Sequence, residues 1–525
     1  MRSLKQTRSQ NPAASGVLNL KGKPSSRTSA TAMRRKHQFA EVSLLGKKIT
    51  VMGINPEGRG VQDAEFLARH GAKVVATDTK NEKDLKESVA RLKRYKNISF
   101  ALGGHHPRDF KNKDLIIRAA GAPLNSIYLK EAKKNGIEIK TDETLFLKLA
   151  PKIILVGVTG TKGKSTVTHL IYEVLKQARR RVFLAGNVRG QAALPLLEKV
   201  NPVRSRARDS IASPFGTAGA ATSNGVKDGD IVVMELDSWK LQGFRDAKIS
   251  PRVAVFTNFY RDHLNYYKGD MKKYFSDKSN IFKYQKNGDM LIAGKSAKDA
   301  IQKYYKGKVK SNIVETSKKY FPKSWHQLIL GEHNKENIVF AVKACETLGI
   351  SKKDIKKAVE SFKGVPGRLE FVREINGVKY YNDTTATTPE AAIAALRALN
   401  SRNVILLAGG ADKNLDYREF AKIIPKFAKT LILFKGEASD KLLHKLRNVC
   451  DCHSRESGNP ARFDSKKIHK DVSSMKEAVR VAQKQAFRGD IILLSPAAAS
   501  FGIFKNEFDR GEQFCELANQ IRKVF

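Results

Sequence analysis

Short β-branched apolar runs alternate along the chain with longer stretches of apolar residues at helical spacing, from about residue 47 onward. A short apolar run bounded by turn residues reads as a buried strand. Apolar positions three and four apart read as a helix with one buried face. Ile153–Val158 is such a run, and beyond Gly160 and Gly163 the residues Val167, Leu170, Ile171, Val174 and Leu175 recur at helical spacing. Lys48–Ile54 predicts another strand, followed by a helix over 61–70 and a second strand over 72–78. Further strands are predicted at 114–120, 136–140, 181–186, 230–235, 252–258, 404–409 and around Leu493. Strands that alternate with helices in this way predict parallel sheets covered by helices, an α/β fold.

The same rhythm divides the chain. Residues 1–46 lack it and form a basic extension, predicted to be disordered. Residues 47–150 open as a βαβ unit of Rossmann-like type, 151–362 form a central P-loop ATPase-type domain with a mostly parallel sheet, and 363–525 form a second Rossmann-like unit. Two stretches interrupt the pattern and are predicted to be surface insertions: 203–224, rich in Arg, Ser, Ala and Gly, and 451–466.

Composition narrows the function classes. No run of apolar residues approaches the length of a membrane span. Four cysteines form no plausible disulfide framework, which favours a reducing cytoplasm. A zinc reading of Cys450, Cys452 and His453 lacks a second ligand pair at usable spacing. The chain holds 97 Lys and Arg against 52 Asp and Glu, a formal charge of +45. Such a balance raises nucleic-acid binding, but the lysines are spread over the whole chain and no nucleic-acid motif accompanies them. A lysine-rich bias of the whole proteome, or anionic small substrates, explains the balance at least as well; small-molecule substrates, bound by a monomer, are the expected partners. The acid-poor start fits an organelle transit peptide, or an over-extended start with initiation near Met33; an extension without a function of its own is favoured.

Chemistry concentrates after the strand Ile153–Val158. Strand, glycine turn and helix are the setting of a phosphate-binding loop, where backbone N–H groups and the helix start favour anions. Lys164 is placed to neutralise terminal phosphates, and the Ser165 hydroxyl to join a Mg²⁺ shell. The general G-x-x-x-x-G-K-[ST] pattern is not met in full: Val158 stands where it requires glycine, and Gly157 comes one residue early. Glu235 ends a strand predicted to lie parallel to the loop strand, where a nucleotide-bound Mg²⁺ is gripped. Asp78 ends the second strand of the first domain, a position suited to a ribose or uracil contact and also to a plain turn aspartate.

Taken together, these segments resemble the Mur ligases. The resemblance rests on Gly160-Thr161-Lys162-Gly163-Lys164-Ser165-Thr166, the Glu235-Leu-Asp-Ser run and Asp262-His263 with Lys278 downstream. It rests also on Gly331-Glu-His-Asn334-Lys-Glu-Asn337, Arg368 after Gly367, Asn382-Asp383 with Ala386-Thr387, and Ser495-Pro-Ala with Phe504-Lys-Asn506. It implies a ligase that uses ATP and Mg²⁺ to join D-glutamate to UDP-N-acetylmuramoyl-L-alanine. Glu235 and Ser165 would then hold one Mg²⁺, and His263 with a carbamylated Lys278 a second. Asn334, Asn337, Arg368 and Asp383 would contact ATP; Asp78, Asn125 and Asn187 the UDP-sugar substrate; Thr387, Lys413 and Ser500 the amino acid. Asn334 also suits a helix N-cap, a role compatible with a nucleotide contact. A related ligase with another acceptor, such as folylpolyglutamate synthase or an L-glutamate-adding enzyme, shares the ATP site. A P-loop NTPase remains the reading without amide formation.

Overall fold

The computed structural model describes residues 44–521 apart from 56–58, 120–121, 123–124, 189–190, 199–224, 413–414, 453–463 and 501. Most of the basic extension, the insertion at 203–224 and much of that at 451–466 therefore lie outside the described residues. Three separate sheets account for the strands, and each corresponds to one run of strand–helix alternation in the sequence.

In the first sheet, β1 (Lys48–Met52), β2 (Lys73–Thr77), β3 (Ile98–Ala101), β4 (Leu115–Arg118) and β5 (Glu138–Lys140) lie in the order β3-β2-β1-β4-β5, all parallel. The order reverses between β1 and β4, so a crevice opens there beyond the strand ends, the usual ligand position in such sheets. Helix α1 (Gly60–Arg69) crosses from β1 to β2. Helix α2 (Asp142–Leu149) begins at a capping box in which Thr141 and Thr144 satisfy each other's backbone N–H groups.

The central sheet holds β6 (Ile154–Thr159), β7 (Val182–Gly186), β8 (Ile231–Glu235), β9 (Val253–Phe256), β10 (Met290–Gly294) and β11 (Asn312–Thr316). Their order is β11-β10-β9-β6-β8-β7, again all parallel. β6 thus runs between β8 and β9, with Val158 opposite Glu235 and Thr159 opposite Phe256. Helix α3 (Lys164–Gln177) buries Val167, Leu170, Ile171, Val174 and Leu175, the five residues whose spacing predicts it. It packs with α4 (Glu332–Thr347) on one face of this sheet. The opposite face shares a continuous core with the first domain, from Ile49 and Phe66 to Phe244 and Phe282.

The third sheet has the order β12-β13-β17-β14-β15-β16, built from β12 (Glu370–Ile375), β13 (Val378–Asn382), β14 (Val404–Gly409), β15 (Ala428–Phe434), β16 (Ile468–Val472) and β17 (Ile491–Leu494). Only the edge pair β12–β13 is antiparallel, a hairpin joined through Asn376-Gly377. Separate apolar clusters cover its two faces. The final helix, α5 (Glu507–Gln520), starts at Asn506, whose side chain accepts hydrogen bonds from the N–H groups of Phe508 and Asp509. The fold is α/β with three sheet-centred units, as the alternation predicts.

Candidate active site

Between β6 and α3 the chain turns through Gly160, with φ of 149°, and Gly163, with φ of 82°, values that side chains strongly disfavour. Both glycines are also hemmed in. A Cβ on Gly160 would overlap the Thr257 hydroxyl, and one on Gly163 would overlap the Asn337 amide oxygen. The loop is held from the β9 side as well. Thr257 Oγ1 donates to the Lys162 carbonyl at 2.7 Å, and Asn258 Oδ1 accepts from the Lys162 N–H at 2.8 Å. The Tyr260 N–H reaches Thr161 Oγ1 at 2.9 Å. These contacts leave a rigid rim at the start of α3, as an anion cradle requires.

Three of the expected residues meet at this rim, and a fourth, His263, lies within electrostatic reach of it. The Lys164 ammonium folds back onto the carbonyl oxygens of Gly160, at 3.1 Å, and Thr161, at 3.0 Å. Burial lowers its pKa, while Glu235 and Asp237 oppose the shift. Glu235 is almost fully buried at the end of β8, placed beside the loop by the register with β6. Its Oε1 accepts from Asn187 Nδ2 at 3.4 Å, Ser165 lies close enough to favour its charge, and among the described residues Oε2 has no partner. Burial raises the carboxyl pKa; Lys164 is the largest opposing influence.

Lys278 is 1 % exposed, and its ammonium donates to the Gly160 carbonyl at 2.8 Å and to Thr159 Oγ1 at 3.4 Å. Burial first, then repulsion from Lys164, pulls its pKa down to about 7. His263 sits in the left-handed region, with φ of 52°, and packs its ring on Trp239 at 4.9 Å. Burial lowers its pKa; Asp262 pulls the other way, and Lys278 and Lys164 add to the lowering. Glu235, His263 and Lys278 therefore all act electrostatically on the one glycine turn. A buried carboxylate oxygen without a partner among the described residues, beside a phosphate cradle, fits a divalent cation. Among the described residues no group of three or more His, Cys, Asp and Glu side chains could hold a metal unaided. Mg²⁺ takes one or two carboxylates and shares its shell with substrate phosphates and water.

The other expected residues distribute over three places. Asn337 touches Gly163 and donates to Asn334 Oδ1 at 2.7 Å; Asn334 in turn donates to the Leu330 carbonyl. Gly331, not Asn334, is the N-cap of α4, so the capping alternative for Asn334 does not hold. Lys162 is exposed and pairs with Asp262 at 3.2 Å, and Thr166 lies in the first turn of α3. Arg368 reaches back from the third unit, and its charge acts on Glu235, His169 and Asp383. Asp383 follows β13; its oxygens accept from Ser495 Oγ at 2.7 Å and the Leu369 N–H at 3.0 Å. Burial raises its pKa to about 7. Thr387 and the buried Ser500 flank the same strand ends. Lys413 lies outside the described residues.

Asp78 and Asn125 line a separate cavity of about 530 Å³ at the β1–β4 crevice, together with Met52, Gly53, His105 and Tyr128. Asp78 accepts from the N–H groups of Ile54 at 2.8 Å and Lys80 at 3.0 Å. His105 and Tyr128 were not anticipated; their rings meet edge to face at 5.4 Å. The turn Gly103-Gly104 ahead of His105 was the available signal. Asn187 belongs to the Glu235 side of the molecule and not to this cavity.

The comparisons with known proteins agree with this geometry. Residues 158–346 match the Mur ligase middle domain, and 367–498 the Mur ligase, glutamate ligase domain. A relative from Roseiflexus sp., named UDP-N-acetylmuramoylalanine--D-glutamate ligase, is 34% identical over 513 residues, covering 91% of this chain and 100% of its own. One of the same name from Borreliella burgdorferi is 34% identical over 498 residues, covering 90% and 97%. The crystal structure of the UDP-N-acetylmuramate-alanine ligase MurC from Thermotoga maritima shares the fold at 17% identity, with a TM-score of 0.52 over 90% of this chain and 99% of that one. The relatives and the matched domains make the chain an ATP-dependent, ADP-forming amide ligase. The chain belongs to the Mur ligase family.

Proposed function

We propose that this chain joins D-glutamate to UDP-N-acetylmuramoyl-L-alanine at the expense of ATP, in the cytoplasm, as a step of peptidoglycan precursor synthesis. The observation that carries the reading is the meeting of Lys164, Glu235 and Lys278 at one glycine turn, with His263 in electrostatic reach, in a chain matched along nearly its whole length by relatives of that name.

A carboxylate resists attack by an amine until one oxygen becomes a leaving group. Transfer of the γ-phosphoryl group of ATP to the alanyl carboxylate supplies it and releases ADP; the glutamate amine then attacks the acyl phosphate, loses a proton and displaces inorganic phosphate to give the amide. The turn Gly160–Thr166 cradles the ATP phosphates, and Lys164 swings from its carbonyl contacts onto the oxygens of the transferring group. Asn334, Asn337, Arg368 and Asp383 hold the nucleotide, and Arg368 draws the third unit onto the central one. Ser165 and Glu235 would hold one Mg²⁺, and His263 with Lys278, as its carbamate, a second. When bound, these ions offset the charge that builds on the phosphoryl oxygens. The cavity at Asp78 and Asn125 takes the uridine end, while Asn187 orients the muramoyl end near Glu235. Thr387, Lys413 and Ser500 seat the amino acid. Closure of the third unit keeps water from the acyl phosphate.

The test is phosphate release by the purified protein with ATP and UDP-N-acetylmuramoyl-L-alanine. Release that requires D-glutamate, and fails with L-glutamate or with a folate acceptor, supports the reading. Release without any amino acid, or with the folate acceptor alone, overturns it.

A further inference from the structure

Arg510, on the first turns of α5, is completely buried, yet among the described residues no carboxylate lies within ion-pair distance of it. Its guanidinium instead serves three neutral acceptors on two different loops. Nε donates to Thr384 Oγ1 at 3.1 Å, one terminal nitrogen to the Thr384 carbonyl at 2.9 Å, and the other to the Ala498 carbonyl at 3.4 Å. Thr384 directly follows Asp383 and precedes Thr387 on one loop; Ala498 precedes Ser500 on the other. A direct bond between the loops, Ala497 N–H to the Ala386 carbonyl at 2.8 Å, leaves them resting on the arginine as a unit. Gly511 lets the helix approach this closely, since a Cβ there would press into Thr384.

A buried guanidinium with neutral partners keeps its charge, and its field is poorly screened. Burial lowers its pKa only to about 10, and Glu507 is the one carboxylate that raises it. The cation therefore remains charged at every working pH, directly behind the loops that carry Thr387 and Ser500. We propose that Arg510 is a positioning residue for the amino-acid substrate: it locks the two loops together and biases the site toward a dicarboxylic amino acid over an uncharged isostere. The inference rests on the reading that these loops seat glutamate.

The test uses the full chain with Arg510→Lys and Arg510→Met, and measures kcat/KM for D-glutamate and D-glutamine alongside KM for ATP. The methionine variant is expected to lower the glutamate-to-glutamine ratio about 10-fold with KM for ATP nearly unchanged. The lysine variant keeps the charge but not the three-point grip, so it should preserve the ratio while kcat falls. Equal losses for both amino acids in the methionine variant would leave only a structural brace and overturn the proposal. If that variant does not fold, the lysine variant decides, and a collapsed ratio there overturns it too. Wild-type protein that makes no product with D-glutamate would instead sink the functional reading itself.

Discussion

Gly163 and Asn337, far apart in sequence, touch so closely that no side chain fits between them, and Gly163 holds a φ of 82°. The contact ties the start of α3 to α4 and sets the cradle and the asparagine pair at one fixed spacing. Gly163→Ala should therefore be harmful twice over, through the left-handed backbone and through displacement of Asn337. A loss of about 1–3 kcal/mol of stability and a raised KM for ATP are expected. Adding Asn337→Ala should recover much of the melting temperature but not the KM. Thermal unfolding and ATP kinetics on the two variants check this.

Lys278 has the environment of a lysine that is easily deprotonated. Its pKa of about 7 means that the free amine, the form that reacts with CO₂, is abundant near neutrality, whereas an ordinary lysine remains almost wholly protonated there. Carbamylation should rise as pH increases through about 7. A carbamate resonance from ¹³C-labelled bicarbonate is expected in the wild-type protein and absent from Lys278→Arg. That variant should lose at least about 100-fold in kcat, the scale of removing a group that stabilises transition-state charge. An arginine variant with near-normal turnover would exclude the role.

Asp383 illustrates a site residue held at a cost in stability. Its folded pKa of about 7 lies above the unfolded carboxylate value, so the folded chain binds a proton that the unfolded chain has released. The sign follows: stability is favoured below the unfolded pKa and declines as pH rises toward about 7, with no further change above it. Asp383→Asn keeps an oxygen for the Leu369 N–H and removes the buried charge. It should raise the melting temperature at pH 7.5, flatten the decline between about pH 4 and 7, and weaken nucleotide binding. Melting curves across that range, with ATP titration, provide the check.

What the sequence made legible was what local pattern determines. Val167 to Leu175 predict a helix because one face must be buried, and the strand before them is fixed by its β-branched run. Glu235 was legible as a strand-end carboxylate, although its nearness to Gly160 depends on β8 pairing with β6 across more than seventy intervening residues. Lys278 carried no signal beyond family resemblance, since an amphipathic helix lysine and a buried one look alike in sequence. Arg510, His105 and Tyr128 were missed for the same reason: their environments are made by segments distant in the chain. Polar residues buried by tertiary packing have no periodicity to announce them.

Lys240 and Glu143 provide the sharpest case of such packing, and a last prediction. They form an ion pair with no exposure on either side, linking α2 of the first unit to the helix Ser238–Ala247 of the central one. Asp63, Asp142 and Arg59 surround it, so three carboxylates face two cations inside the seam. Burial raises the pKa of Asp63 well above its ordinary value and that of Asp142 to about 7, so the cluster sheds negative charge by retaining protons. Lys240→Met would strand Glu143 without its cation and should destabilise the chain by about 3–5 kcal/mol. Pairing it with Glu143→Leu removes both charges and should restore most of that loss, because desolvating an ion pair offsets much of its attraction. Stability measured by denaturant unfolding across the four-member cycle would show whether the pair holds the two units together. A double variant as unstable as Lys240→Met alone would instead mean that the seam depends on this ion pair's geometry.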